Sequence, residues 1–224
     1  MSLKVPIIPS LTLKGLDKKI QAIQEQIDDD LVWVTKSFGL ADRIVEMRDE
    51  KPYVYPAVFE SNTKDPIPMT PSDIYTAFSF WVRSGETTFI FNDNFPPKNP
   101  LVKYLVSCIF YLDIHKIDAT TSYKETKSKL TEDIFHFFSN VYIDGQLVVK
   151  RFIEDDITKV YEGFTLDQFD NKFKMYPKWC CRMDFELITR DECYTTNIYS
   201  PPTSYTADST LFFADDAVLT ADQT

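Results

Sequence analysis

Apolar residues recur at steps of three and four from Leu16 through Ile20, Ile23, Ile27 and Leu31 to Val34. That spacing lays one stripe along one face of a helix over residues 16–34. Lys18, Lys19, Gln24, Glu25, Asp28 and Asp29 fall on the remaining surface, and Gly39 is the expected stop. Two readings of the stripe stay open. Leu16, Ile20, Ile23 and Ile27 form either an oligomerisation or docking face, or the underside of a helix packed on its own sheet. A β-prone run follows at Tyr53-Val-Tyr-Pro-Ala-Val-Phe59, with Pro52 and Pro56 marking an edge or a bend. Residues 62–72 hold Pro66, Pro68 and Pro71 among polar neighbours and read as a loop. Strands are expected over 74–82 and 87–91, joined by a turn at Arg83-Ser-Gly-Glu86. After a Pro- and Asn-rich connection over 93–100, the long apolar run from Leu101 to Leu112 predicts a central strand.

A second amphipathic helix is predicted over 128–141, its apolar face made of Leu130, Ile134, Phe137, Phe138 and Val141. Asp144-Gly145 then turns the chain into a short strand over 147–152. Residues 153–161 read as a short helix with Glu154, Asp155 and Asp156 in its first turn, where the helix dipole favours acids. Thr165-Leu-Asp-Gln168 has the form of a capping box opening a third helix toward Lys174. From Trp179 to Arg190, Cys181, Met183, Phe185 and Leu187 alternate with Arg182, Asp184 and Glu186, which predicts a strand with one buried and one wet face. This order fits an α+β fold, an antiparallel or mixed sheet flanked by helices on one face. The domain is expected over 13–195, between an N-terminal arm over 1–12 and a C-terminal arm over 196–224.

Composition changes the picture in three places. The chain of 224 residues is long enough to bury a sizeable core. Its five glycines stand singly, which argues against a glycine-rich phosphate loop. The net charge of −10 argues against a nucleic-acid backbone as principal ligand, although a local basic face that touches DNA or anionic lipid is compatible with it. Much of the excess lies at the end: from Asp191 onward there are six acids and no Lys or Arg. The same stretch holds Pro201-Pro202 and an apolar island at Leu211, Phe212 and Phe213, which reads as an arm that anchors on a partner through those three side chains. No apolar run approaches the ~20 residues of a membrane span, and the opening MSLKVPIIPS lacks a signal-peptide core. No membrane partner is therefore expected. The four cysteines are expected as reduced thiols, with Cys180 and Cys181 pointing to opposite faces of their strand.

The search for chemistry returns little. His115 and His136 have no second ligand at metal-binding spacing. Asp28-Asp29-Asp30 and Glu154-Asp155-Asp156 fan out on helices and lack the rest of a calcium loop. There is no G-x-S-x-G elbow and no Cys–His arrangement of a familiar kind. No catalytic, cofactor-binding or metal-ligating residue is expected, no cofactor, and no enzyme activity. A convergent pair of carboxylates is the one way a hydrolase could hide at this level.

The segments Val160-Tyr-Glu-Gly-Phe-Thr-Leu-Asp-Gln168, Met175-Tyr-Pro177, Arg182-Met-Asp-Phe185 and Cys193, with Tyr53–Phe59 and the strand around Ile109–Asp113, carry a resemblance. Over about residues 13–195 the chain resembles small structural proteins of tailed bacteriophages of Bacteroides-type hosts, the crAss-like phages included. Its layout is similar to tail-completion (tail-terminator) and head–tail connector proteins. The resemblance implies a virion protein, assembled in the host cytoplasm, that forms a cyclic homo-oligomer in the neck or at the top of the tail. Its partners would be copies of itself, the portal, and adjacent ring and tail proteins, with contact to packaged DNA along the channel face. A ring subunit needs faces and extensions rather than an active site. A cytoplasmic adaptor or binding module is the alternative.

Overall fold

The computed structural model describes residues 15–59, 66–90, 101–166 and 171–190. The first element, α1 (Gly15–Asp30), places Leu16, Ile20, Ile23 and Ile27 against the sheet, where they are almost completely buried. The docking reading of these four residues is thereby corrected, since the stripe is spent inside the subunit. The polar face is less free than the pattern suggested. Lys19 is buried and reaches Asp144 at 2.7 Å, and the Gln24 amide donates to the Ser37 carbonyl at 2.6 Å. The helix ends at Asp30, but Leu31 and Val34 stay buried through the turn that follows.

Strand β1 (Lys36–Arg48) occupies a stretch the hydrophobic pattern left unassigned. Gly39 is not a helix stop but part of this strand, and a Cβ there would sit 3.3 Å from the Gln24 side chain. The residue lets α1 lie close on the sheet. Strands β2 (Lys51–Phe59), β3 (Pro66–Pro68), β4 (Ala77–Arg83), β5 (Thr88–Ile90) and β6 (Leu101–Asp113) follow. Then come the short α2 (Ile114–Ile117), α3 (Tyr123–Asn140), β7 (Gln146–Glu154), the single turn α4 (Ile157–Val160), a 3₁₀ turn over Asn171–Phe173, and β8 (Lys178–Arg190). The result is an α+β fold around one mixed eight-stranded sheet. Its order is β3-β2-β1-β4-β6-β8-β7, with β5 beside β6. Among the described residues β1 and β4 pair in parallel and every other pairing is antiparallel.

The expected central strand is central. β6 pairs with β4 on one flank and along its whole length with β8 on the other. Its alternate residues feed two cores. Val106, Cys108, Phe110 and Leu112 join Trp81, Phe185, α1 and α3 in one cluster. Ile109 and Tyr111 join Phe78, Phe80, Val160 and Tyr161 in the other, which α4 and the chain to Leu166 cover. The two long helices thus share a face, as expected, while α4 lies on the opposite one. Helix α3 begins earlier than its apolar stripe, because Ser122 caps it in a reciprocal pair with Glu125.

Two local expectations are corrected. Pro66-Ile67-Pro68, expected as loop, pairs with β2 as an edge strand, which proline tolerates. Glu154 belongs to β7, Asp155 turns the chain at a φ of 65°, and only Asp156 caps α4. Thr165 bonds Val54 of β2, its amide donating at 2.7 Å and its hydroxyl accepting at 3.1 Å, and Gln168 of the expected capping box lies outside the described residues. Residues 167–170, the arms over 1–12 and 196–224, the loop over 93–100, Leu211, Phe212, Phe213 and Cys193 lie outside the described residues.

Beyond Ala41, β1 leaves β4 and continues with β2 as a two-stranded ribbon. On one side Tyr53 and Tyr55 stack with centroids 5.1 Å apart beneath the Arg48 guanidinium, and Glu46 accepts from Arg48 and from the Tyr55 hydroxyl. On the other, Val45 and Met47 are largely exposed. The ribbon closes with two residues, Asp49 and Glu50, both at positive φ (48° and 62°). Such a turn favours Asn-Gly, and an L-residue with a long side chain is strained there. Glu50→Gly is therefore expected to raise stability by about 1 kcal/mol, read as a higher urea midpoint; a lower midpoint would contradict the argument.

The two end strands of this order are blunted. β3 carries two prolines, and β7 has a bulge between Val149 and Arg151 with Lys150 within it. Prolines, charges and bulges on edge strands oppose pairing with another chain's strand.

Candidate functional site

Strand β8 presents Cys180, Arg182, Asp184 and Glu186 on the face away from the long helices, and the neighbouring strands bring charge to the same place. The antiparallel register sets Ser107 of β6 and Arg151 of β7 on either side of Asp184. The Ser107 hydroxyl donates to Asp184 Oδ1 at 2.6 Å, Arg182 Nε donates to the same oxygen at 2.6 Å, and Arg151 Nε donates to Oδ2 at 2.7 Å. Glu162, just past α4, stands 3.7 Å from Arg151 Nη2 and 3.9 Å from Arg182 Nη1. One step along β8, Glu186 is held by Lys150 at 3.0 Å and Lys103 at 3.6 Å. The face expected to be wet is thus partly closed: the Arg182 side chain is 8% exposed and that of Asp184 14%.

The electrostatics follow from this geometry. Burial pushes the Asp184 carboxyl up, but hydrogen bonds from Ser107, Arg182 and Arg151 outweigh it, so the group stays below the usual carboxylate range. Lys150 and Lys103 hold Glu186 low as well. Carboxylates fixed in this way are weak bases, suited to positioning arginines rather than to accepting a proton in catalysis.

The network forms one wall of a cleft of about 600 Å³. Leu40, Val82, Leu105 and Phe164 supply apolar lining, and Arg43 and Arg83 stand at its rim. Neither arginine has an ion pair among the described residues. Counting all lining residues, five bases face three acids, a positive balance within a chain of net charge −10.

A second, smaller cluster lies at the far end of β8. Lys178 is held by Asp113 at 2.9 Å and by Asp73, and burial opposed by these two bonds leaves its pKa raised. Tyr176 meets His115 Nε2 at 2.5 Å, the rings edge-to-face. The adjoining crevice, between Tyr111, Tyr123, Trp179 and Cys180, measures about 160 Å³, below the ~300 Å³ from which small-molecule sites begin. His136 is exposed on α3, away from both clusters.

Cys108, Cys180 and Cys181 are free and buried, and burial pushes all three thiols up, Cys180 to about 12. As expected for strand neighbours, Cys181 belongs to the core under the long helices and Cys180 to the opposite one. Among the described residues no group of three or more His, Cys, Asp or Glu side chains converges as a metal site, and no helix is long and apolar enough to cross a membrane. Of the residues singled out from sequence, Leu16, Ile20, Ile23 and Ile27 are in the core. The charged cleft, which sequence reasoning missed, gathers Arg43, Arg83, Arg151 and Arg182 from four strands. The alternation in β8 is the one local signal that pointed toward it.

No protein-family model matches this chain, and no curated protein matches it.

Proposed function

We propose that this protein is a non-catalytic virion subunit of a tailed phage, which assembles with copies of itself into a closed ring of the head–tail connector or tail top. The observation that carries the reading is the β1–β2 ribbon. It extends past the main sheet, is braced on one side by the Arg48–Tyr53–Tyr55 stack, and offers Val45 and Met47 to a neighbour on the other. At the β5–β6 pairing Phe89, Ile90 and Leu101 are exposed as well, a second apolar surface. Two separate surfaces on one subunit suit the head-to-tail contacts of a ring. The blunted edges oppose open-ended growth by strand addition. The likeness to connector and tail-terminator proteins supplies the virion and the portal and tail partners.

Mass photometry and negative-stain microscopy of the full chain, alone and mixed with portal, are expected to show closed rings. The double variant V45D/M47D is expected to weaken self-association at least tenfold, about 1.4 kcal/mol, with an unchanged circular dichroism spectrum. Mass spectrometry of purified virions is expected to find the polypeptide, and its absence there would overturn the reading.

A further inference from the structure

We propose that the charged cleft seats the acidic C-terminal segment of the same chain, residues 208–216, in the unassembled subunit. The inference goes beyond the assembly reading and does not depend on it.

The cleft has two kinds of wall, and the segment has two matching kinds of residue. Leu40, Val82, Leu105 and Phe164 offer an apolar lining, while Arg43 and Arg83 at the rim hold charge that no ion pair among the described residues neutralises. The segment Asp208-Ser-Thr-Leu-Phe-Phe-Ala-Asp-Asp216 places Leu211, Phe212 and Phe213 between acids at both ends. Aromatic side chains entering an apolar pocket with carboxylates meeting arginines at its edge is the usual composition of a strong peptide anchor. Competing anions fit only one half of this arrangement. A phosphate or a nucleic-acid backbone would leave the apolar wall unused and would meet Asp42 and Glu162, which also line the cleft.

Connectivity favours the chain's own segment. Asp184 in the cleft wall and Arg190 at the end of β8 lie six residues apart on one strand, or about 20 Å. Eighteen residue steps then lead from Arg190 to Asp208, and a chain of that length can span up to about 60 Å. Reach is therefore sufficient, and a tether of this kind gives an effective concentration on the order of millimolar, so even a weak contact is populated within one molecule.

The test uses the full chain at a dilution where mass photometry reports monomer, as an equal mixture of ¹⁴N- and ¹⁵N-labelled protein. Carbodiimide, which joins a lysine directly to a carboxylate, is expected to link Lys150 of the cleft to Asp208, Asp215 or Asp216 within one isotopic species. R43E/R83E and F212A/F213A are each expected to cut that product at least tenfold. Both arginines are exposed, so the first variant is expected to keep the native circular dichroism spectrum. The proposal fails if the product is absent, if it joins differently labelled chains, or if R43E/R83E leaves its yield unchanged. It also fails if 10 mM inorganic phosphate or a short DNA duplex removes the product while F212A/F213A does not, since the cleft would then be an anion or nucleic-acid site. Ring assembly is read separately at high concentration, so either result can stand without the other.

Discussion

Replacing Ile20 and Ile23 together by alanine is expected to unfold much of the subunit under native conditions. Both side chains are fully buried between α1 and the sheet. Each such truncation costs about 2–5 kcal/mol through lost burial and the cavity left behind. The two sites are neighbours on one helix face, so the costs are not strictly additive, and about 5–8 kcal/mol is expected for the pair. A domain of this kind has roughly 5–15 kcal/mol in total. Urea denaturation followed by circular dichroism would show the loss as a large fall in midpoint. A protein whose midpoint is unmoved, but which no longer self-associates, would restore the docking reading of α1 and sink the packing account.

The second large effect is expected at Asp184. Truncation to alanine leaves the 8%-exposed Arg182 and its neighbour Arg151 to the more distant Glu162 carboxylate, at 3.9 and 3.7 Å, and leaves the Ser107 hydroxyl without its acceptor. Breaking a buried pair from one side costs about 3–5 kcal/mol; with Asp184 14% exposed, the lower end of that range is expected. Removing both charges is a different perturbation. R182M/D184L is expected to recover most of the loss, because the desolvation cost of the pair disappears with its attraction. A double variant no more stable than D184A would refute this. The acid response has a fixed sign. The folded-state pKa of Asp184 is depressed, so its contribution is intact above the unfolded value of ~4 and is lost as the pH falls through the lower folded value.

How much of this was legible depends on which residues decided the outcome. β6 and β8 were readable because burial on both faces leaves a continuous apolar run in one, and the other keeps a strict period of two. α3 was readable from its stripe, although its true start lies in Ser122 and Glu125. Thr165 and Gln168 spell the same motif, and the Thr165 hydroxyl accepts from Val54 of β2, a distant partner that no local pattern announces. β1 was missed because its two halves obey different rules. Its first half is sandwiched between α1 and the opposite core, and its second is a ribbon where Val45 and Met47 face outward. Ala41, Glu46, Met47 and Arg48 also suit helices better than strands. The cleft was beyond local reading. Arg151 meets Asp184 only because β7 carries a bulge that resets the register, a property of the pairing rather than of either segment.

The adjacent thiols Cys180 and Cys181 have a practical consequence. One peptide bond apart, they report on opposite layers of the molecule: the long helices shield Cys181, and α4 with its following chain shields Cys180. Pulsed alkylation under mildly destabilising conditions, with each site quantified by mass, would record which layer lifts first. The natural sequence thus carries its own pair of footprinting probes, with no label to engineer.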